Sequence, residues 1–135
     1  MFRVAGIDHI VLRTQNKQAL LNFYTGILGC ETERDTPPET GLTQLRAGNA
    51  LIDIVAVDSK LGAMGGPAPS TQGNNLDHFC LQLEPVAEED IRSHLVLHGI
   101  TVGNFADRYG AEGQGKSIYI EDPDGNVVEL RAKLA

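Results

Sequence analysis

One order of residues is written twice in this chain, and that repeat limits the possible folds more than any other feature. Residues 7–12 read I-D-H-I-V-L and residues 76–81 read L-D-H-F-C-L. His9 and His78 stand 69 residues apart, and Gly29 and Gly99 stand 70 apart. In residues 8–14, Asp8, Ile10 and Leu12 alternate with His9, Val11 and Arg13, which reads as a strand with one face buried. A helix follows, with Asn16 as its N-cap, an apolar stripe of Ala19, Leu20, Phe23, Tyr24, Ile27 and Leu28, and Gly29 at its stop. Strands are then expected at 30–34, 42–47 and 50–57. The second copy reads as a strand at 76–83, a helix at 88–98 ending at Gly99, and strands at 100–105, 117–121 and 127–130. Asp122-Pro-Asp-Gly-Asn126 is expected to turn tightly between the last two. Each half is therefore β-α-β-β-β, and the fold class is α+β. Two tandem βαβββ modules, about 6–57 and 75–132, form a single domain over 1–135. Residues 58–74, rich in Gly, Pro and Ser, join them as a mobile linker.

Side-chain parity turns the repeat into a chemical expectation. Ile10 and Leu12, like Phe79, Leu81 and Leu83, belong to the face that the helix covers. His9, Val11 and Arg13, like His78, Cys80 and Gln82, belong to the other. In the last strand of each half, Ile52 and Ile54, or Val128 and Leu130, take the helix side. Asp53 and Glu129 therefore share the face of the histidines. If the two sheets curl into one cup, two imidazoles and two carboxylates meet in it. Ionisable groups in apolar strands are costly to bury without partners. Taken singly, each histidine reads as a satisfied structural residue and each carboxylate as part of a solvated face. Taken as four groups of matching parity, they read as ligands of a divalent metal with mixed nitrogen and oxygen donors.

The remaining features narrow the setting. A net charge of −7 and a pI near 4.9 argue against nucleic acid and anionic membrane as partners. No apolar run approaches the ~20 residues of a membrane span, and the first residues lack a signal-peptide core. Cys30 and Cys80 stand alone, without C-x-x-C, which fits a reduced, cytoplasmic protein; Cys80 reads as packing, not as a nucleophile. Arg131 shares the parity of Glu129, and Arg13 that of His9, so both are candidates to bind a carboxylate substrate. The glycine-rich stretch 110–117, with Lys116, is a candidate lid over an anionic ligand or else a plain hairpin. His94 and His98 lie one turn apart on a helix and read as an exposed face.

D-H-I-V-L-R at 8–13, F-Y-T-G-I-L-G at 23–29 and E-D-P-D-G-N-V-V-E-L at 121–130 resemble the vicinal oxygen chelate superfamily. That group holds glyoxalase I, extradiol dioxygenases and bleomycin- and fosfomycin-resistance proteins. The resemblance implies paired βαβββ modules forming a curved-sheet cup, and usually a homodimer. It assigns His9, His78 and Glu129 to the metal-ligand positions. Asp53 falls at a fourth position, where glyoxalase-like sequences carry the longer Glu. The implied reaction is that of a glyoxalase-like lyase or isomerase. Glu129 and Asp53 would move a proton between adjacent carbons of an α-oxoaldehyde–thiol adduct through an enediolate, with Ni²⁺, Co²⁺ or Zn²⁺ as Lewis acid. Arg13 matches an arginine that holds glutathione, while Val57 stands where a glutathione-contacting Asn is common. Tyr119, ten residues before Glu129, matches the extradiol dioxygenase signature Tyr-x-x-Asp-Pro-x-Gly, which implies Fe²⁺ or Mn²⁺. The catalytic histidine that those enzymes carry just before the tyrosine is missing. A third reading is a non-catalytic protein that binds or sequesters a small molecule.

Overall fold

A computed structural model describes residues 1–135. The chain forms two compact units, Met1–Ser70 and Thr71–Ala135. In the first, β1 (His9–Thr14) is followed by α1 (Lys17–Leu21), whose helical path continues through wider turns over Asn22–Ile27. Then come β2 (Glu31–Asp35), β3 (Leu42–Ala47), β4 (Ala50–Ala56) and the short α2 (Lys60–Ala63). In the second, β5 (Phe79–Leu83) leads to α3 (Glu88–Leu97), β6 (Ala106–Gly110), β7 (Gly113–Glu121) and β8 (Val127–Ala132). The sheet orders are β1-β4-β3-β2 and β5-β8-β7-β6. In each sheet the first strand pairs parallel with the last, and the other pairings are antiparallel. The duplicated βαβββ order is thus realised strand for strand.

Each module buries part of the apolar set that its periodicity marks, while Ile10, Phe79, Leu81 and Leu83 are only half-buried. The first packs Leu12, Leu45, Ile52 and Ile54 of its sheet with Leu20, Phe23 and Tyr24 of its helix; the second packs Ile118, Ile120, Val128 and Leu130 with Ile91 and Leu95 of α3. Each such side chain contributes about 1.5–3 kcal/mol on burial. Asn16 caps α1 by accepting from the Ala19 amide at 3.1 Å. Ala87 offers α3 no side-chain cap, and Glu88, Glu89 and Asp90 complement the positive helix end instead. Gly29 and Gly99 take φ of +78° and +74° past the helix ends, the left-handed stop that their spacing foretold.

Two expected elements are corrected. Residues 100–105 are irregular, and the second strand of the second module is β6 instead, which begins where the expected strand ends. The glycine-rich segment is the β6–β7 hairpin itself. The segment read as a loose linker also holds the helical turn Lys60–Ala63, which the Ser59 hydroxyl caps by accepting from the Gly62 amide at 3.1 Å.

The turn at Asp122–Asn126 spans the five residues between β7 and β8. Asp122 Oδ1 accepts from the amides of Asp124 and Asn126, both at 2.9 Å, and Oδ2 accepts from the Asn126 side chain at 2.8 Å. Only Gly125 takes positive φ there, +81°. Gly125→Val is expected to destabilise the protein by about 1 kcal/mol or more, because a β-branched residue resists that conformation. An unchanged midpoint in urea unfolding would contradict this.

Candidate functional site

In the second module, register gathers a set of side chains on the sheet face opposite α3. Glu129 on β8 lies between Cys80 of β5 and Tyr119 of β7. His78, one residue before β5, approaches Glu129 with Nε2 3.3 Å from Oε1. Its ring meets the Tyr119 ring edge-on, with centroids 5.2 Å apart. Glu129 is 6% exposed and Tyr119 is 38% exposed, so the carboxylate is buried while the phenol opens to solvent.

The Asp-His pairs of the repeat have a direct structural role. His78 Nδ1 lies 2.7 Å from Asp77 Oδ2, and His9 Nδ1 lies 2.7 Å from Asp8 Oδ1. An ionised carboxylate only accepts, so each Nδ1 carries the hydrogen and donates it. In a neutral ring this leaves the lone pair on Nε2, the tautomer that ligates metals through Nε2. For His78 that lone pair faces the Glu129 carboxylate. Two acceptors at 3.3 Å repel unless a positive centre, a proton or a metal ion, lies between them. Two ligand atoms held roughly 2.0–2.2 Å from one tetrahedral ion are themselves about 3.3–3.5 Å apart. The pair therefore fits a divalent metal in both donor chemistry and spacing.

The first module carries the corresponding pair less tightly. Asp53 lies on β4 opposite Val11 and Gln44 and is 4% exposed. Its oxygens accept from Gln44 Nε2 at 3.2 and 3.3 Å. The hydrogen bond to Asp8 is the main reason the pKa of His9 stands above its ordinary 6.5; desolvation opposes it and the Asp53 charge adds to it. No three His, Cys, Asp or Glu side chains form a ready metal cage within either module.

The other anticipated residues sit as follows. Arg13 is occupied by the segment after β4: its Nε donates to the Gly62 carbonyl at 3.0 Å, and its Nη1 and Nη2 donate to the Pro67 and Gly66 carbonyls. Lys116 pairs with Asp107 at 3.2 Å, at a β7 position of opposite parity to Tyr119. Arg131 is 9% exposed, with Nη2 donating to the Gly113 carbonyl at 3.0 Å. A Cβ on Gly110 or Gly115 would meet its guanidinium at 2.1 or 2.6 Å, so these glycines make room for the arginine beneath the hairpin. His94 on α3 and His98 at its C-terminal cap have ring centroids 4.7 Å apart, with the planes tilted by 58°. Burial, with the Glu129 charge adding to it, pushes the Cys80 thiol up to about 11, so it is protonated at neutral pH and a poor nucleophile.

Sequence reasoning missed Arg108. Its guanidinium lies 4.3 Å from the centre of the Tyr119 ring, and Nη1 donates to the Ser117 carbonyl and hydroxyl. The stretch A-D-R-Y-G carries no motif. The only signal was the strand alternation of 106–110, obscured by the more apolar run before it.

Comparison with known proteins agrees with this architecture. The catechol-2,3-dioxygenase of Bacillus subtilis (strain 168) is 26% identical over 127 residues, covering 93% of this chain. The match takes in 41% of that enzyme, so this chain spans about two-fifths of its length. An integron cassette protein from the mobile metagenome of V. cholerae superposes with a TM-score of 0.76 at 24% identity, over 99% of each chain. A lactoylglutathione lyase from Agrobacterium tumefaciens superposes with a TM-score of 0.68 at 23% identity, over 96% of this chain and 94% of that one. At such identities the structural likenesses speak for the fold. The sequence profile of one family matches residues 6–130, nearly the whole chain. With its two βαβββ modules, this chain belongs to the glyoxalase/bleomycin resistance protein/dioxygenase superfamily.

Proposed function

We propose that this chain is a metal-dependent, glyoxalase-like lyase or isomerase, acting on an α-oxoaldehyde–thiol adduct or a related small molecule with adjacent oxygens. In this reading the metal ligands are His9, His78 and Glu129, with Asp53 as the fourth candidate, and the active form is a homodimer. The observation that carries the reading is the 3.3 Å approach of His78 Nε2 to Glu129 Oε1, a pair whose donor types and spacing suit a divalent metal, and which a proton bridges in the metal-free protein. A divalent metal there supplies Lewis acidity toward two neighbouring substrate oxygens.

The protein's own residues supply the rest. Glu129, buried among apolar strands, is a carboxylate able to take a proton from one carbon and return it to the next. Desolvation, with the Glu129 charge adding to it, raises the pKa of the Tyr119 hydroxyl. Tyr119 therefore stays protonated at neutral pH and donates a hydrogen bond to a substrate oxygen. Asp8 and Asp77 hold the two imidazoles in the ligating tautomer.

The dioxygenase reading rests on the Bacillus relative and on Tyr119. Ring opening calls for a further acid–base histidine beside that tyrosine. The cationic neighbour stacked on Tyr119 is Arg108, which stays charged. The expected result is therefore no oxygen uptake with catechols under Fe²⁺, and turnover of an α-oxoaldehyde–thiol adduct with Ni²⁺ or Co²⁺. Oxygen uptake that depends on Tyr119 would reverse the order of the two readings. Silence in both assays, with a ligand bound in the absence of metal, would favour sequestration.

A further inference from the structure

Arg108 is the unexplained charge of the second module. It is half-buried, on a β6 position whose register partner is Gly115 of β7. None of the ion pairs of the protein includes it, although the chain carries a net charge of −7. Only Nη1 is engaged, with Ser117. Nε and Nη2 remain as donors, in the fork geometry that suits a two-oxygen anion. The position is also fixed on several sides. The Tyr119 ring lies under the guanidinium, Ser117 holds one arm, and Arg131 reaches the Arg108 carbonyl at 3.5 Å. A pre-positioned guanidinium without an acid, stacked on a tyrosine that also contacts His78, is built to receive an anion.

We propose that Arg108 recognises an oxyanion, a carboxylate or phosphate-type group, carried by the substrate next to its reacting oxygens. This deepens the proposed function, on which it rests, by narrowing its substrate class to members that carry an anionic group. The glycines at 110 and 115 belong to the same arrangement. They admit the Arg131 guanidinium under the hairpin, and Arg131 in turn supports the backbone from which Arg108 projects.

The test uses metal-free protein, so its outcome is independent of the metal. The Nε–H resonance of Arg108, assigned by its loss in Arg108→Gln, is followed while pyruvate, inorganic phosphate or methyl pyruvate is added. A saturable shift is expected with pyruvate or with phosphate, and the two arms show which oxyanion geometry fits. Methyl pyruvate, which lacks the charge, should bind at least about tenfold more weakly, the loss expected for one charge-assisted contact. Arg108→Gln should lose the anion-induced shifts of neighbouring amides. Arg108→Lys, which keeps the charge but loses the fork and the stacking, should retain part of the binding. Both variants should take up Ni²⁺ like the wild type. The proposal is overturned if neither anion shifts the Arg108 resonance, if the ester binds as well as the acid, or if Arg108→Gln binds the anions unchanged. Absence of Ni²⁺ binding by the wild type would sink the metal reading alone and leave this titration intact.

Discussion

Glu129→Ala is expected to reduce divalent-metal affinity by more than about 100-fold, with the protein still folded. Loss of a group that merely orients a ligand costs about 10–100-fold, and loss of the ligand itself should exceed that. The carboxylate faces His78 Nε2 at 3.3 Å, and removing it takes away the oxygen donor on the Nε2 side of the ring, while Asp77 still holds Nδ1. His78→Ala and His9→Ala should lose metal likewise. Asp53→Ala should weaken binding less, because the Asp53 oxygens are already bonded by Gln44. Competition against a chromophoric chelator gives the affinities, and far-UV circular dichroism checks the fold. A folded Glu129→Ala protein with wild-type affinity would remove Glu129 from the metal site.

The second large effect concerns stability. Gly62→Ala is expected to destabilise the first module by about 3 kcal/mol or more, the upper range for an overpacked site. Helix propensity alone argues the opposite, since alanine gains about 1 kcal/mol over glycine inside a helix. Geometry decides the sign. A Cβ at Gly62 would stand 1.8 Å from the Ala56 carbonyl oxygen and 2.7 Å from the Val57 Cα, both backbone atoms that cannot rotate away. The Gly62 carbonyl also accepts from Arg13, so a displaced turn would loosen the arginine that holds the following segment. Urea unfolding would show the loss as a lower midpoint, and a midpoint at or above that of the wild type would refute the steric argument.

Much of the fold was legible because it depends on periods that a sequence displays directly. The expected strand 50–57 matches β4 to within a residue, since a near-continuous apolar run of that length has few other uses; the expected strand 42–47, a weaker pattern beside a turn-rich stretch, has the bounds of β3. Asn16, Gly29 and Gly99 marked helix ends because only certain side chains satisfy a first-turn amide or tolerate positive φ. The same parity put Glu129 on the face of His78, and the structure brings those two into contact. Placement of β6 failed because the apolar run 100–105 scores as a strand by itself. The hairpin partner that a strand needs is β7, and its pairing starts at Ala106 opposite Ser117.

What the sequence determined alone is the duplicated βαβββ frame and the face on which each histidine and carboxylate lies, because both follow from the two-residue period of a strand. The tertiary structure decided what the cations do. Arg13, Lys116 and Arg131 looked alike as charges available to a substrate. Arg13 is held by the carbonyls of Gly62, Gly66 and Pro67, Lys116 by Asp107, and Arg131 lies beneath the glycines of a hairpin. Arg108, which no pattern marked, remains without an acid above Tyr119. A long flexible side chain ends many ångströms from its own Cα. Its partners are set by which distant backbone folds within reach, and periodicity in the chain carries no record of that.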